Sequence, residues 1–213
     1  MCKIRFATVC AVCLWSSATA GGGLHPLGSA SQVTKLTASD GVNYDQFGRS
    51  VSVSSDWAVI GASHDDDLGS ACGSAYVFQR STSGWLEDAK LLAADGASGD
   101  HFGQSVSISS TAVIVGAYQD GDAGAYSGSA YVYRRGAQGW AQEAKLTADD
   151  AASDDWFGMD VCVENDTAVV GSPQNQRDGD GAAYLFEHSA GTWTQTAKLT
   201  ASDGGPGDEF GYS

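Results

Sequence analysis

From Phe47 onward the chain alternates short apolar runs with Gly-, Ser- and Asp-rich stretches. Phe47 to Ser54 places Val51 and Val53 against small polar residues with a period of two, which predicts a strand with one covered face. Trp57 to Ala62 and Ala75 to Phe78 are continuously apolar and too short for helices, so they predict strands covered on both faces. A fourth run begins at Trp85 and continues to Leu92 and Ala93. No stretch after the first twenty residues shows the 3.6-residue period of an amphipathic helix.

The same four runs return. Lys-Leu begins at Lys35, Lys90, Lys145 and Lys198, and Phe-Gly at Phe47, Phe102, Phe157 and Phe210, both stepping by 55, 55 and 53 residues. Gly61, Gly116 and Gly171 open GAS, GAY and GSP, and Gly73, Gly128 and Gly181 open GSAYVF, GSAYVY and GAAYLF. Trp85, Trp140 and Trp193 keep the phase, so the two-residue deletion falls between Gly171 and Gly181. Four short strands per unit, with two-sided apolar runs that let units stack face to face, predict an all-β fold of β-propeller blades, each of four antiparallel strands. The repeats are placed at about 47–93, 102–148 and 157–201. A lone copy of the fourth-strand pattern precedes them at Val33–Ala38, and a fourth repeat starts at 210–213. About three blades form only part of a propeller. Such a segment suits a piece of a longer chain; the alternative is a homodimer in which two copies close one ring.

Residues carrying a resemblance are Phe47-Gly48, Gly61-Ala62-Ser63, Gly171-Ser172-Pro173 and the Gly73–Phe78 strand. In phase and in three copies, they resemble the FG-GAP repeat of integrin α-chain propellers and their bacterial relatives. The resemblance covers 33–213 and implies a propeller, an extracellular setting and a ligand-binding or adhesion role. The calcium loop common in that family is not matched. The connections after the first strands are Ser54-Ser55-Asp56, Ser109-Ser110-Thr111 and Glu164-Asn165-Asp166-Thr167, with too few carboxylates for a cation that takes 6–8 oxygens.

The ends and the charge narrow the function. Lys3 and Arg5, an apolar Ile4–Trp15 and the Ala18-Thr19-Ala20 site read as a signal peptide over 1–20, followed by a linker at 21–32. Secretion or a cell-surface location follows, without membrane insertion, since no other run approaches the roughly 20 apolar residues of a span. Formal charge is −15 for the whole chain, and loss of Lys3 and Arg5 leaves 9 basic against 26 acidic residues. Such a surface excludes nucleic acid as a partner and favours accumulation of divalent cations.

Acidic loops follow each GAP element. Asp65 and Asp67, Asp120 and Asp122, and Asp178 and Asp180 are candidate Ca²⁺ ligands, because alternate carboxylates can converge on one ion. Asp and Gly also build ordinary turns, which is the competing explanation. A second pair recurs five residues apart before each FG (Asp40/Asp45, Asp95/Asp100, Asp150/Asp155, Asp203/Asp208) and is expected to fix turns. Catalytic and cofactor-binding residues are not expected. The histidines His25, His64, His101 and His188 lack metal-ligand spacing, and no nucleophile elbow or phosphate loop occurs. Cys72 and Cys162 read as turn and packing residues, the three tryptophans of the fourth strands as core or inter-blade packing, and Trp156, which replaces Gln46 and His101, as an exposed ring. The expected function is non-catalytic binding of an extracellular protein or glycan. Two alternatives stand beside it: a fragment of a propeller enzyme whose catalytic residues lie elsewhere, and a calcium-stabilised structural array.

Overall fold

The computed structural model describes residues 32–174 and 180–213. The expected leader at 1–20, the linker apart from its last residue, and the candidate ligand Asp178 lie outside the described residues. Twelve strands form three four-stranded antiparallel sheets, and the described residues contain no helix. The first sheet has the order β1 (Val51–Ser54), β2 (Trp57–Ala62), β3 (Ser74–Ser81), β4 (Gly84–Leu91). The second runs β5 (Ser105–Ile108), β6 (Ala112–Ala117), β7 (Ser129–Gly136), β8 (Gly139–Leu146). The third runs β9 (Val161–Glu164), β10 (Thr167–Ser172), β11 (Ala182–Ser189), β12 (Thr192–Leu199). These are the blades that the repeat predicts.

The first strand of each blade is shorter than the sequence suggests. Phe47–Ser50 is a turn, closed by the Arg49 amide donating to the Gln46 carbonyl at 2.9 Å, and pairing starts only at Val51. Ser54 pairs with Trp57, so Ser55-Asp56 is a two-residue hairpin loop, with Ser55 in the left-handed region at φ 53°. Val33–Ala38 forms no strand. Among the described residues no strand pairs with it, and its side chains hold it: Leu36 and Ala38 pack on Ile60, Ala62, Tyr76 and Phe78.

The core lies between sheets. Val59, Ala75, Val77 and Leu91 of the first blade pack against Phe102, Val106, Ile108, Val113 and Val115 of the second. Ile114, Ala130, Val132 and Leu146 repeat that contact against Phe157, Val161, Val163 and Val170 of the third. Each central strand therefore buries both faces, which is why β6 is buried at all six positions. Val51 shows what the contact is worth. It is 69% exposed, whereas its counterparts Val106 and Val161 are 8% and 6% exposed beneath a preceding blade.

Polar side chains join the blades at each repeat of that contact. Ser52 and Ser107 accept from the Ile108 and Val163 amides of the next blade at 3.2 and 3.1 Å. Trp140 and Trp193 donate their indole N–H to Asp88 and Glu143 of the preceding blade at 3.1 and 2.9 Å. Trp140 and Trp193 thus bridge blades, while Trp85 packs on Ile60, Ala62, Tyr76 and Phe78 of its own blade. Close backbone approach adds a parallel bridge between Gly73 and Phe102, repeated at Gly128 and Phe157. Gly73 and Gly128 have φ of 84° and 81°, and a Cβ there would run into the backbone of Phe102 or Phe157.

Candidate functional site

Two groups of side chains occur at the end of the blades where the β2–β3 and β4–β5 connections lie. The first contains the acidic residues. In blade one the Lys90 ammonium sits among three carboxylates: Asp67 at 2.6 Å, Asp40 at 2.8 Å and Asp65 at 2.9 Å. The buried Tyr76 hydroxyl donates to Asp40 at 2.8 Å and Asp65 at 3.0 Å. Blade two repeats the geometry. Lys145 meets Asp122 at 2.6 Å, Asp95 at 2.7 Å and Asp120 at 2.9 Å, while Tyr131 donates to Asp120 at 2.6 Å. In blade three Lys198 meets Asp150 at 2.6 Å and Tyr184 donates to the same carboxylate at 2.8 Å.

The sequence candidates therefore separate. Asp65 and Asp67 converge, as do Asp120 and Asp122, but each pair converges on a lysine from the Lys-Leu dipeptide of its own blade. Asp65 and Asp120 are each 3% exposed. Asp180 is exposed, and its carbonyl accepts from the Phe210 amide at 3.2 Å. Among the described residues no group of three or more His, Cys, Asp or Glu side chains is placed to hold a metal ion.

Electrostatics agree with that geometry. The Lys90 hydrogen bond holds Asp40 below the usual carboxylate range. Burial pushes Asp65 up, but the Lys90, backbone and Tyr76 hydrogen bonds outweigh it and the net shift is downward. Burial works to lower Lys90 and Lys145, and their carboxylate partners raise both above the ordinary lysine value. Each lysine is thereby locked as a cation inside an acidic loop.

The five-residue Asp pairs divide their work. In the first three pairs the first member, Asp40, Asp95 or Asp150, faces the lysine and tyrosine of its cluster, whereas Asp203 is exposed. The second closes the turn before FG, accepting from the amide three residues earlier: Asp45 from Val42 at 2.7 Å, Asp100 from Ala97 at 2.7 Å, Asp155 from Ala152 at 2.8 Å and Asp208 from Gly205 at 2.8 Å. The turn role is as expected for that member, though the bond runs backwards along the chain rather than forwards.

The second group is a row of rings. His64 and His101 lie 4.7 Å apart between centroids, His101 and Tyr118 5.7 Å, and Tyr118 and Trp156 5.8 Å. All four side chains are half-buried, so Trp156 is less open than its sequence position suggests, because the edge of Tyr118 covers it. The Tyr118 hydroxyl and the Trp156 indole N–H have no hydrogen-bond partner among the described residues. The row crosses both blade boundaries. His101 and Trp156 occupy the position before FG, where every unit has left-handed backbone: Gln46 at φ 58°, His101 at 56°, Trp156 at 57° and Glu209 at 52°. Tyr118 is at the third position of the GAP triplet, where the sister units have Ser63 and Pro173. Reading the histidines by linear spacing misses this row. Aligning the units would have found it, since positions 46, 101, 156 and 209 hold four different residues inside an otherwise regular repeat.

Cys72 and Cys162, the two cysteines among the described residues, are both free. Cys72 is buried and its thiol reaches the Asp65 carbonyl at 3.3 Å, the bond that Ser127 makes to Asp120 in the next blade. No helix among the described residues is long and apolar enough to cross a membrane.

Comparison with known proteins places this geometry. The family model described as FG-GAP repeat matches residues 30–78, 85–133, 140–186 and 193–213. No curated protein matches the chain. Among solved structures, Sqt1 of Saccharomyces cerevisiae is similar at 11% identity and a TM-score of 0.48, over 76% of this chain and 38% of that one. The chain therefore spans well under half the length of that structure.

Proposed function

The chain belongs to the FG-GAP repeat family, and from that premise we propose that it is a secreted, non-catalytic propeller module that binds a protein or glycan at a cell surface or in the matrix. One observation carries this reading. The positions that build the fold repeat from blade to blade, while the positions before FG and at the end of the GAP triplet vary and meet in one half-exposed row of rings. Aromatic side chains with a packed body and a free polar tip are the groups that binding surfaces use as anchors. Bulky residues in left-handed backbone cost strain, and such strain tends to be kept where a side chain must be aimed.

The acidic clusters support the same view by subtraction. Their carboxylates are engaged by Lys90 and Lys145, which favours a structural role for them over the calcium-stabilised array. The test is retention of the immobilised protein's ligands on two sets of probes: an array of neutral and sulfated oligosaccharides, and a panel of purified matrix proteins. The expected result is one retained class, with the signal falling roughly ten-fold in Trp156→Ala, the loss of an anchor worth about 1.4 kcal/mol. Retention of neither class, or retention untouched by both Trp156→Ala and Tyr118→Ala, would overturn the proposal.

A further inference from the structure

Two histidines face each other across the junction of the first two blades, and the junction around them is built from backbone hydrogen bonds. His64 follows β2 and His101 precedes β5, with ring centroids 4.7 Å apart. His101 Nδ1 donates to the Ser63 carbonyl at 3.2 Å, which fixes the neutral tautomer with its proton on Nδ1. The His101 amide donates to Ala71 at 3.1 Å and the Phe102 amide to Cys72 at 2.9 Å, both across the junction. His64 Nδ1 lies 3.2 Å from the Ser63 hydroxyl, and the His64 amide donates to the Asp45 carbonyl at 3.1 Å.

We propose that the His64–His101 pair is a pH-sensitive clasp, closed while the His101 ring is neutral and opened when a proton taken up by that half-buried ring sets its charge against His64, so that acid loosens the first blade from the second. Imidazole is the side chain that changes charge in this range. The carboxylates nearest the pair are engaged elsewhere: Asp65, next to His64, by Lys90 and the Tyr76 hydroxyl, Asp66 by the Ala71 amide, Asp100, next to His101, by the Ala97 amide, and Asp45 by the Val42 amide. Tyr118 packs on the far side of His101 with a hydroxyl that stays neutral, its pKa raised by burial. Arg49 lies on that side too; its guanidinium donates to Gln104 at 3.0 Å and adds a further positive charge. The chain's overall negative charge favours protonation, but that field is screened beyond about 8 Å at physiological salt, whereas the two rings are in contact.

Burial and the neighbouring His64 both lower the His101 pKa from its ordinary 6.5. The unfolded or opened junction therefore binds more protons than the closed one below pH 6.5. Closure is fully favoured above that value and is lost progressively as pH falls through it, levelling off below the closed-state pKa. The blade-two to blade-three junction supplies an internal control. It has the same backbone bonds, Trp156 amide to Tyr126 at 3.1 Å and Phe157 amide to Ser127 at 3.0 Å, but no histidine pair.

Hydrogen exchange on the full chain, expressed as protection factors at pH 7.5 and pH 5.0, tests the clasp. Protection of the His101 and Phe102 amides is expected to fall roughly ten-fold in acid, while that of Trp156 and Phe157 holds. His101→Gln should abolish the acid response, and His64→Gln should reduce it. Both are substitutions the repeat itself makes, with Gln46 at the first position and Gln119 and Gln174 at the second, so either variant can report if the other folds poorly. An equal change at both junctions, no change at either, or an acid response surviving in His101→Gln or undiminished in His64→Gln would overturn it.

Discussion

Lys145 is placed where a bound cation would otherwise have to be. Its ammonium is within 3 Å of Asp95, Asp120 and Asp122, and the ring of Tyr131 lies 5.2 Å beneath it. Removing one partner of a buried ion pair leaves charge without compensation, at a cost of about 3–5 kcal/mol. Lys145→Met is therefore expected to lower unfolding stability by an amount in that range, with partial recovery on adding Asp120→Asn. Chemical denaturation of the single and double variants measures both. A single variant within about 0.5 kcal/mol of the parent, the range of a neutral surface change, would remove the lysine from this role. The lysine was visible in the sequence as half of a repeated dipeptide, and the aspartates as repeated pairs. What the sequence did not display was that they meet, because Lys145 follows Asp120 by a whole hairpin and only the β7–β8 register returns it to the loop.

At the scale of the element, the strands were largely legible because their apolar runs are short and punctuated. β2 has the bounds its pattern predicts. The beginnings of β1, β5 and β9 were not legible, since Phe-Gly looks strand-like but is spent on the turn that reaches back to the previous blade. Glycine marks that contact. Gly128 and Gly139 both have left-handed backbone, at φ 81° and 102°. Only Gly128 would drive a Cβ into a neighbouring backbone, that of Phe157; Gly139 is open. Gly139→Ala is thus expected to cost only the conformational penalty of about 1–2 kcal/mol. Gly128→Ala should cost clearly more, by forcing the second and third blades apart. Urea midpoints of the two variants make the comparison, and equal losses would contradict it. Val33–Ala38 has the fourth-strand pattern but pairs with no strand among the described residues, and its Leu36 and Ala38 contribute packing alone.

Across the whole molecule, a formal charge of −15 must be reconciled with carboxylates gathered in every blade. Sequence alone left two solutions open, recruited cations or turns. The structure shows a third in blades one and two, where the carboxylates of each acidic loop gather on their own blade's lysine. The row of varied rings was the least legible feature, because its members lie 37, 17 and 38 residues apart in order and meet only when blades stack. The most direct test of the lysine as the internal cation is the thermal unfolding of the full chain in 1 mM Ca²⁺ and in chelator. The melting temperature is expected to be the same in both. A calcium site with a dissociation constant near 10 μM would add about 2.7 kcal/mol at that concentration. A rise of several degrees with calcium, the shift such a gain produces in a chain of this size, would contradict the lysine as the cation of these loops.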